Sequence, residues 1–295
     1  MSSSSEATPT GRGTDPQPRA SPASRAPGAR PRCALVLPTY NAADFIGRTV
    51  ERLRRFVAEH TDWRCLLVCD GCSDDTVPIL DRLLADRPER LDFHAYPVNR
   101  GKGFALRTGL SLVDTPYRVY TDVDLAYDPD EAVRILELLE RGADLAAVNR
   151  AHPDSCFLIS PRDFPNIYKR HLMSRAFNWW LRRMLPITIL DTQAGLKGIT
   201  GPAWELLAGE MTSDGFFFDV ELLARAGFHG LRLAETPVTF RYFDPTTVRM
   251  VRHGTRMIRE TLRLRGELRR LSQARDAVRT PDLAPIAAAS PPGGK

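Results

Sequence analysis

The stretch Tyr117-Arg118-Val119-Tyr120-Thr121-Asp122-Val123-Asp124 runs from a short apolar segment straight into two carboxylates two residues apart. Alternate residues of an extended chain share one face, so at a strand end both acids point the same way. Hard oxygen ligands in that arrangement favour Mg²⁺ or Mn²⁺ over zinc, and such ions sit where a diphosphate is held and its charge offset. An acidic pair is also ordinary loop sequence, and its surroundings decide between the two.

The segment is one of five apolar runs of strand length, at 33–37, 65–69, 93–96, 117–121 and 145–148. Helical periodicity fills the intervals at 43–59, 74–85, 102–112 and 129–141. This alternation predicts an α/β fold with a βαβαβ order and a mostly parallel sheet flanked by helices, whose ligands gather beyond the strands' carboxyl ends. The acids fall on that edge. Pro38-Thr39-Tyr40-Asn41 follows the first strand in place of a G-x-G-x-x-G turn, which argues against a nicotinamide or flavin cofactor. Further on, the pattern predicts a helix over 166–185, a short strand over 196–200 and a helix over 215–226. Residues 248–275 form a long basic amphipathic pattern, with Met250, Met257, Leu264, Leu268 and Leu271 on one side.

With 43% hydrophobic residues, the 295-residue chain can bury one large core. It divides into a tail over 1–31, a domain over 32–245, the basic helix over 246–275 and a second tail over 276–295. Both tails are too poor in apolar residues to offset ordering entropy and are expected to be disordered. No stretch reaches the roughly 18 apolar residues of a membrane span, so a cytoplasmic protein without transmembrane helix or signal peptide is expected. Five cysteines, an odd number, point to reduced thiols. Cys65, Cys69 and Cys72 lack the second ligand pair that zinc requires. A net charge of +5 fits an anionic partner, whether nucleotide, nucleic acid or acidic membrane.

Five motifs stand in order: PTYN at 38–41, CDGCSDDT at 69–76, NRGKG at 99–103, TDVDL at 121–125 and DTQAGLKG at 191–198. In order and spacing the chain resembles family 2 glycosyltransferases over residues 32–245. Within them it is most similar to the polyprenyl-phosphate sugar transferases, dolichyl-phosphate glucosyltransferase and dolichol-phosphate mannose synthase. NRGKG and DTQ-x-G-x-K are closer to the glucosyltransferase branch, which points to a UDP-hexose, UDP-glucose, over a GDP-hexose. The resemblance implies a GT-A fold with a single nucleotide-sugar-binding domain, a Mg²⁺ or Mn²⁺ ion, and inverting sugar transfer to a polyprenyl phosphate. The family usually carries an acidic residue after PTYN and often an aspartate at the first position of the second motif, where this chain has Ala42 and Cys69.

Under this resemblance Pro38, Thr39 and Tyr40 lie against the base. Asp70 accepts from a uracil N–H, or serves as a turn or cap carboxylate. Lys102, at a helix start where N–H groups and the dipole attract anions, contacts donor phosphate or sugar. Asp122 and Asp124 hold the metal, with Asp124 the stronger ligand. Arg150 and Arg170 match phosphate-binding positions, Arg170 lying four residues before Ser174 and so on the same helix face. Asp191 and Gln193 shape the sugar or acceptor site, or Asp191 orients Gln193 or Lys197.

A lipid phosphate is already ionised near neutrality, whereas an alcohol acceptor needs a base, for which Asp191, Asp219 and Glu221 are candidates. Asp219 is equally a helix cap. Phe177, Trp179, Trp180 and Leu181 either line a groove for the polyprenyl chain or belong to the core. Residues 151–165 read as a mobile acceptor loop. The basic helix either lies on an anionic membrane with its apolar stripe shallowly inserted or packs on the domain. Two other functions fit the sequence: the same donor chemistry on a soluble alcohol, and an inactive nucleotide-sugar-binding protein. Nucleic-acid binding is not expected, since the basic helix lacks interleaved base-stacking residues.

Overall fold

In the computed structural model, which describes residues 30–86, 88–158, 164–241 and 250–279, every element expected from the sequence is present. The first half comprises β1 (Cys33–Thr39), α1 (Ile46–Glu59), β2 (Trp63–Asp70), α2 (Thr76–Leu83), β3 (Leu91–Tyr96), α3 (Lys102–Leu112), β4 (Tyr117–Tyr120), α4 (Glu131–Glu140) and β5 (Leu145–Val148). The second comprises β6 (Cys156–Leu158), α5 (Phe164–Met184), β7 (Lys197–Thr200), α6 (Gly201–Ala208), α7 (Phe218–Phe228), β8 (Leu233–Thr236), β9 (Thr239–Arg241) and α8 (Met250–Arg279). Of the expected tails 1–31 and 276–295, residues 1–29 and 280–295 lie outside the described residues, as do residues 159–163 of the expected acceptor loop, while 276–279 continue α8.

Seven strands pair in the order β3-β2-β1-β4-β7-β5-β8, and all run parallel except β7. The order turns back at β1, which has β2 on one side and β4 on the other. Loops leaving the carboxyl ends of such neighbours diverge to opposite faces and open a crevice where ligands bind. PTYN and the Asp122–Asp124 turn are the two loops that leave this point.

The sheet is buried on both faces, which explains its unbroken apolar runs. Along β1, Cys33, Leu35 and Leu37 pack with α1, α2 and α4, while Ala34 and Val36 pack with α3, α6 and α7. Gly109 lets α3 approach closely, since a Cβ there would overlap the side chain of Val36.

Several elements carry no clear mark in the sequence. β6 and β9 form a two-stranded sheet of their own, so residues 156–158 of the expected acceptor loop are strand, and its last two residues open α5. Of the two places offered for the α8 stripe, membrane or domain, its described members take mostly the second: Met257, Leu264 and Leu268 are buried in the second core with Thr261, Leu271 is 39% accessible, and the Met250 side chain lies outside the described residues. The aromatic segment of α5 also divides. Leu181 is core, Phe177 stacks on Trp180 with ring centroids 5.7 Å apart, and Trp179 is 65% exposed. No helix among the described residues is long and apolar enough to cross a membrane.

Candidate active site

The Asp122–Leu125 turn is closed by the Leu125 amide, which donates to the Asp122 carbonyl at 3.1 Å. Leu125 takes a φ of 50°, a left-handed conformation rare outside glycine and typical of constrained functional loops. Two α1 residues that sequence reasoning did not single out tie the turn down. The Thr49 hydroxyl donates to the Val123 carbonyl at 2.9 Å, and Arg52 donates to the Leu125 carbonyl and to Asp128, each at 3.1 Å. Asp122 is left half-buried and Asp124 exposed at the crevice.

Lys102 Nζ lies 2.6 Å from Asp122 Oδ1. The other Asp122 oxygen fits against Gly195, where a Cβ would overlap the carboxylate. Although Asp124 keeps a solvent-facing side, protein packs around its carboxyl, and this packing first and the neighbouring Asp122 charge second push it up. Two hard oxygen donors that repel each other at an open edge suit a divalent cation, and Asp122 and Asp124 could hold Mg²⁺ or Mn²⁺ there.

On the β1–β2 side, Pro38 and Thr39 are buried within the strand, and the Thr39 hydroxyl donates to the Leu37 carbonyl. Tyr40, 51% exposed, is the member of the trio whose ring is presented at the crevice. Asp70 takes the loop-building role rather than the base-binding one. Oδ1 accepts from the Tyr96 hydroxyl and the Arg100 amide, and Oδ2 from the Asn99 side chain and the Gly101 amide, at 2.8–3.0 Å. Four donors fill the acceptor capacity of a carboxylate and leave none for a uracil N–H. The loop so folded also leans on the chain before α7: the Gly103 amide donates to the Asp214 carbonyl at 2.8 Å, and a Cβ on Gly101 or Gly103 would overlap this backbone. Asp70 thereby positions Lys102.

Opposite, Asp191 is buried and chelates Arg150, with Nε at 2.7 Å from Oδ2 and Nη2 at 3.0 Å from Oδ1. The Arg150 and Gln193 amides also donate to it, at 3.1 and 3.3 Å. Burial would raise the Asp191 carboxyl, but Arg150 holds it below the usual carboxylate range. Gln193 Nε2 reaches Met257 Sδ of α8 at 3.8 Å, and the Thr192 amide donates to Asn178 Oδ1 of α5 at 3.2 Å. Glu235 of β8, unmarked in the sequence, accepts from the Leu190 and Asp191 amides at 2.8 and 3.3 Å.

Asp219 is not at the surface. It accepts from the Tyr120 hydroxyl and from Lys197 Nζ, both at 2.7 Å, and Lys197 is 0% exposed. Against burial, Lys197 and then Lys102 hold its carboxyl low. Lys197 also donates to the Ala194 carbonyl, beside Gly195. Glu221 is consumed likewise, by the Thr212 and Ser213 amides and Arg225. Ser174 is half-buried on α5, and the Arg170 side chain lies outside the described residues. The structure thus joins Lys102 to Asp122 and Arg150 to Asp191 at the carboxyl ends of the strands, and buries Asp219 and Asp70 among partners of their own.

Comparison with known proteins agrees with this geometry. The family model described as Glycosyl transferase family 2 matches residues 34–190. Glycosyltransferase AglD of Haloferax volcanii is 33% identical over 82% of the chain, which spans 37% of that protein's length. Polyprenol monophosphomannose synthase of Mycolicibacterium smegmatis is 28% identical over 71% of the chain and 77% of its own length. Among solved structures, glucosyl-3-phosphoglycerate synthase from Mycobacterium tuberculosis, in complex with Mn²⁺ and uridine-diphosphate-glucose, superposes with a TM-score of 0.57 at 18% identity, covering 80% of this chain and 79% of that one. That likeness establishes a shared GT-A fold.

Proposed function

Because the chain belongs to glycosyl transferase family 2, we propose that it transfers glucose from UDP-glucose, with inversion and with Mg²⁺ or Mn²⁺ at Asp122 and Asp124, to a polyprenyl phosphate. The observation that carries the acceptor assignment is the state of the carboxylates that an alcohol acceptor would need as a base. Asp191 and Asp219 are held ionised by Arg150 and Lys197, and Glu221 is filled by donors. A carboxylate held low and saturated with hydrogen bonds is a poor proton acceptor. An acceptor that arrives ionised needs none.

In this reading a phosphate oxygen of the lipid bonds to the anomeric carbon as the bond to the donor diphosphate breaks. Negative charge grows on the departing UDP, and Lys102 and Arg150 are the cations placed to receive it. A divalent ion at the acidic pair supplies further charge to the same oxygens. The Tyr40 ring offers a face to the base. Exposed Ile258 and Leu262 of α8, beside exposed Arg259 and Arg263, offer a weak peripheral contact with an anionic lipid surface.

The test incubates the protein with Mn²⁺, polyprenyl phosphate and a panel of UDP- and GDP-sugars, reading glycolipid by mass spectrometry, with Asp124→Asn as control. Glucosylated lipid phosphate from UDP-glucose, lost in the control, is expected. Product from GDP-mannose alone would overturn the donor assignment, and metal-dependent donor binding without glycolipid would overturn the acceptor.

A further inference from the structure

Cys69 and Cys72 bracket Asp70 and Gly71 at the end of β2, beside the strand end that leads to Tyr40. Cys69 is fully buried and lies opposite Thr39 in the β1–β2 register. The chain then reverses through Gly71, whose φ of 60° suits glycine and whose Cβ position is filled by the Asn99 backbone. This reversal returns Cys72 over the same strand ends. Its thiol donates to the Thr39 carbonyl at 3.6 Å, on the residue that faces Cys69 across the β1–β2 register. Cys72 stays half-buried against the first core, reachable from solvent, while Cys69 is enclosed. Two thiols gathered at one strand end with unequal access have the form of an attacking and a resolving cysteine.

We propose that Cys69 and Cys72 form a reversible dithiol–disulfide site, oxidised by low-molecular-weight disulfides, whose closure weakens donor binding at the nucleotide end of the crevice. In the first step the Cys72 thiolate attacks one sulfur of a disulfide RSSR, the Cys72–SR bond forms and RS⁻ leaves. In the second, the Cys69 sulfur attacks Cys72, forming the Cys69–Cys72 bond, and its proton leaves with the expelled group as RSH. The protein pair loses two electrons and RSSR gains them. The Cys69 thiol, opposed by burial, draws the Cys72 thiol down to about 7, with the Asn41 backbone and Thr76 hydroxyl assisting and Asp74 opposing. A large fraction is then thiolate near neutrality, where an ordinary thiol with a pKa of about 8.5 is a few per cent ionised.

Closure removes the Cys72 hydrogen from Thr39 and pulls on Asp70, which follows Cys69 directly in the chain and folds residues 99–101. The effect on donor affinity rests on the function proposed above; the disulfide chemistry does not.

The test equilibrates the full chain with glutathione disulfide, alkylates remaining thiols, maps linked peptides by mass spectrometry, and measures UDP-glucose binding with Mn²⁺ by calorimetry on reduced and oxidised samples. A Cys69–Cys72 link is expected in the protein and in Cys156→Ser, absent from Cys72→Ser and reversed by dithiothreitol. UDP-glucose binding should weaken about tenfold on oxidation, the equivalent of one lost hydrogen bond. Glutathione adducts on Cys72 or Cys156 without the link would overturn the proposal, as would a link that leaves affinity unchanged. Reduced protein that binds no UDP-glucose would sink the functional reading, and the peptide map would still decide the dithiol chemistry.

Discussion

Gly195→Ala is the sharpest probe of the acidic pair. A methyl group there overlaps one Asp122 oxygen and stands 3.1 Å from its Cγ, whereas its other neighbour, Tyr127, is at an ordinary 3.6 Å. Gly195 has no left-handed backbone, so alanine brings no conformational strain of its own. The carboxylate must withdraw by about 1 Å, and a displacement of that size at a reacting centre costs about 100-fold in turnover. That factor is about 2.7 kcal/mol of transition-state stabilisation. Since Asp122 sits at an open edge and can move, the fold should hold, with Tm lowered by less than about 4 °C, the shift that accompanies about 1 kcal/mol. Turnover, Mn²⁺ affinity by calorimetry and thermal melting are measured on the same preparation. Wild-type turnover and Mn²⁺ affinity would refute the placement of Asp122, and a loss of activity matched by a collapse in Tm would refute the local explanation.

Other perturbations reach the supports of the site. Asp219→Asn leaves the fully buried Lys197 without its counter-charge and should cost about 3–5 kcal/mol in urea unfolding. The folded-state pKa values of Asp219 and Asp191 are both depressed, so their contribution to stability is present above the unfolded carboxylate value of about 3.9 and is lost as pH falls through the folded values. The acid limb of the stability curve should therefore be flatter in Asp219→Asn, and an unchanged limb would count against the buried pair. Asp70→Asn sets an amide NH₂ against the amides of Arg100 or Gly101, costs about 1–3 kcal/mol and should speed hydrogen exchange at those amides; unchanged exchange would leave Asp70 free for another role. Leu264→Ala should lower stability by about 2–5 kcal/mol without any lipid present, whereas a stripe reserved for membrane insertion would show almost no effect.

The half of the fold that was legible is the half in which local signals and burial coincide. β5 occupies Leu145–Val148 and α3 Lys102–Leu112, as the apolar run and the helical period foretell. α6 carries a start signal in its sequence: the Thr200 hydroxyl accepts from the Ala203 amide, with Pro202 just inside the helix. β8 offers no pattern, because its four residues are all half-buried and include Glu235. Strand order was hidden because it depends on pairs such as Tyr117 and Thr200, distant in sequence. The site divides along the same line. Motif spacing located Asp122, Lys102 and Asp191, but Asp191 meets Arg150 across 41 positions, and the use of Asp70 depends on which donors surround it. For α8, the amphipathic period was plain, but whether core or membrane covers the stripe is a tertiary fact.

Transfer without a carboxylate base requires an acceptor that is ionised before it reaches the crevice. The direct measurement offers the protein UDP-glucose and Mn²⁺ with polyprenyl phosphate and with the corresponding polyprenol, in separate reactions at neutral pH, and follows product by mass spectrometry. Glucosylation of the phosphate with none of the alcohol is the expected outcome. Comparable glucosylation of the polyprenol would mean that a carboxylate serves as base despite its partners, and that the roles given to Asp191 and Asp219 are wrong.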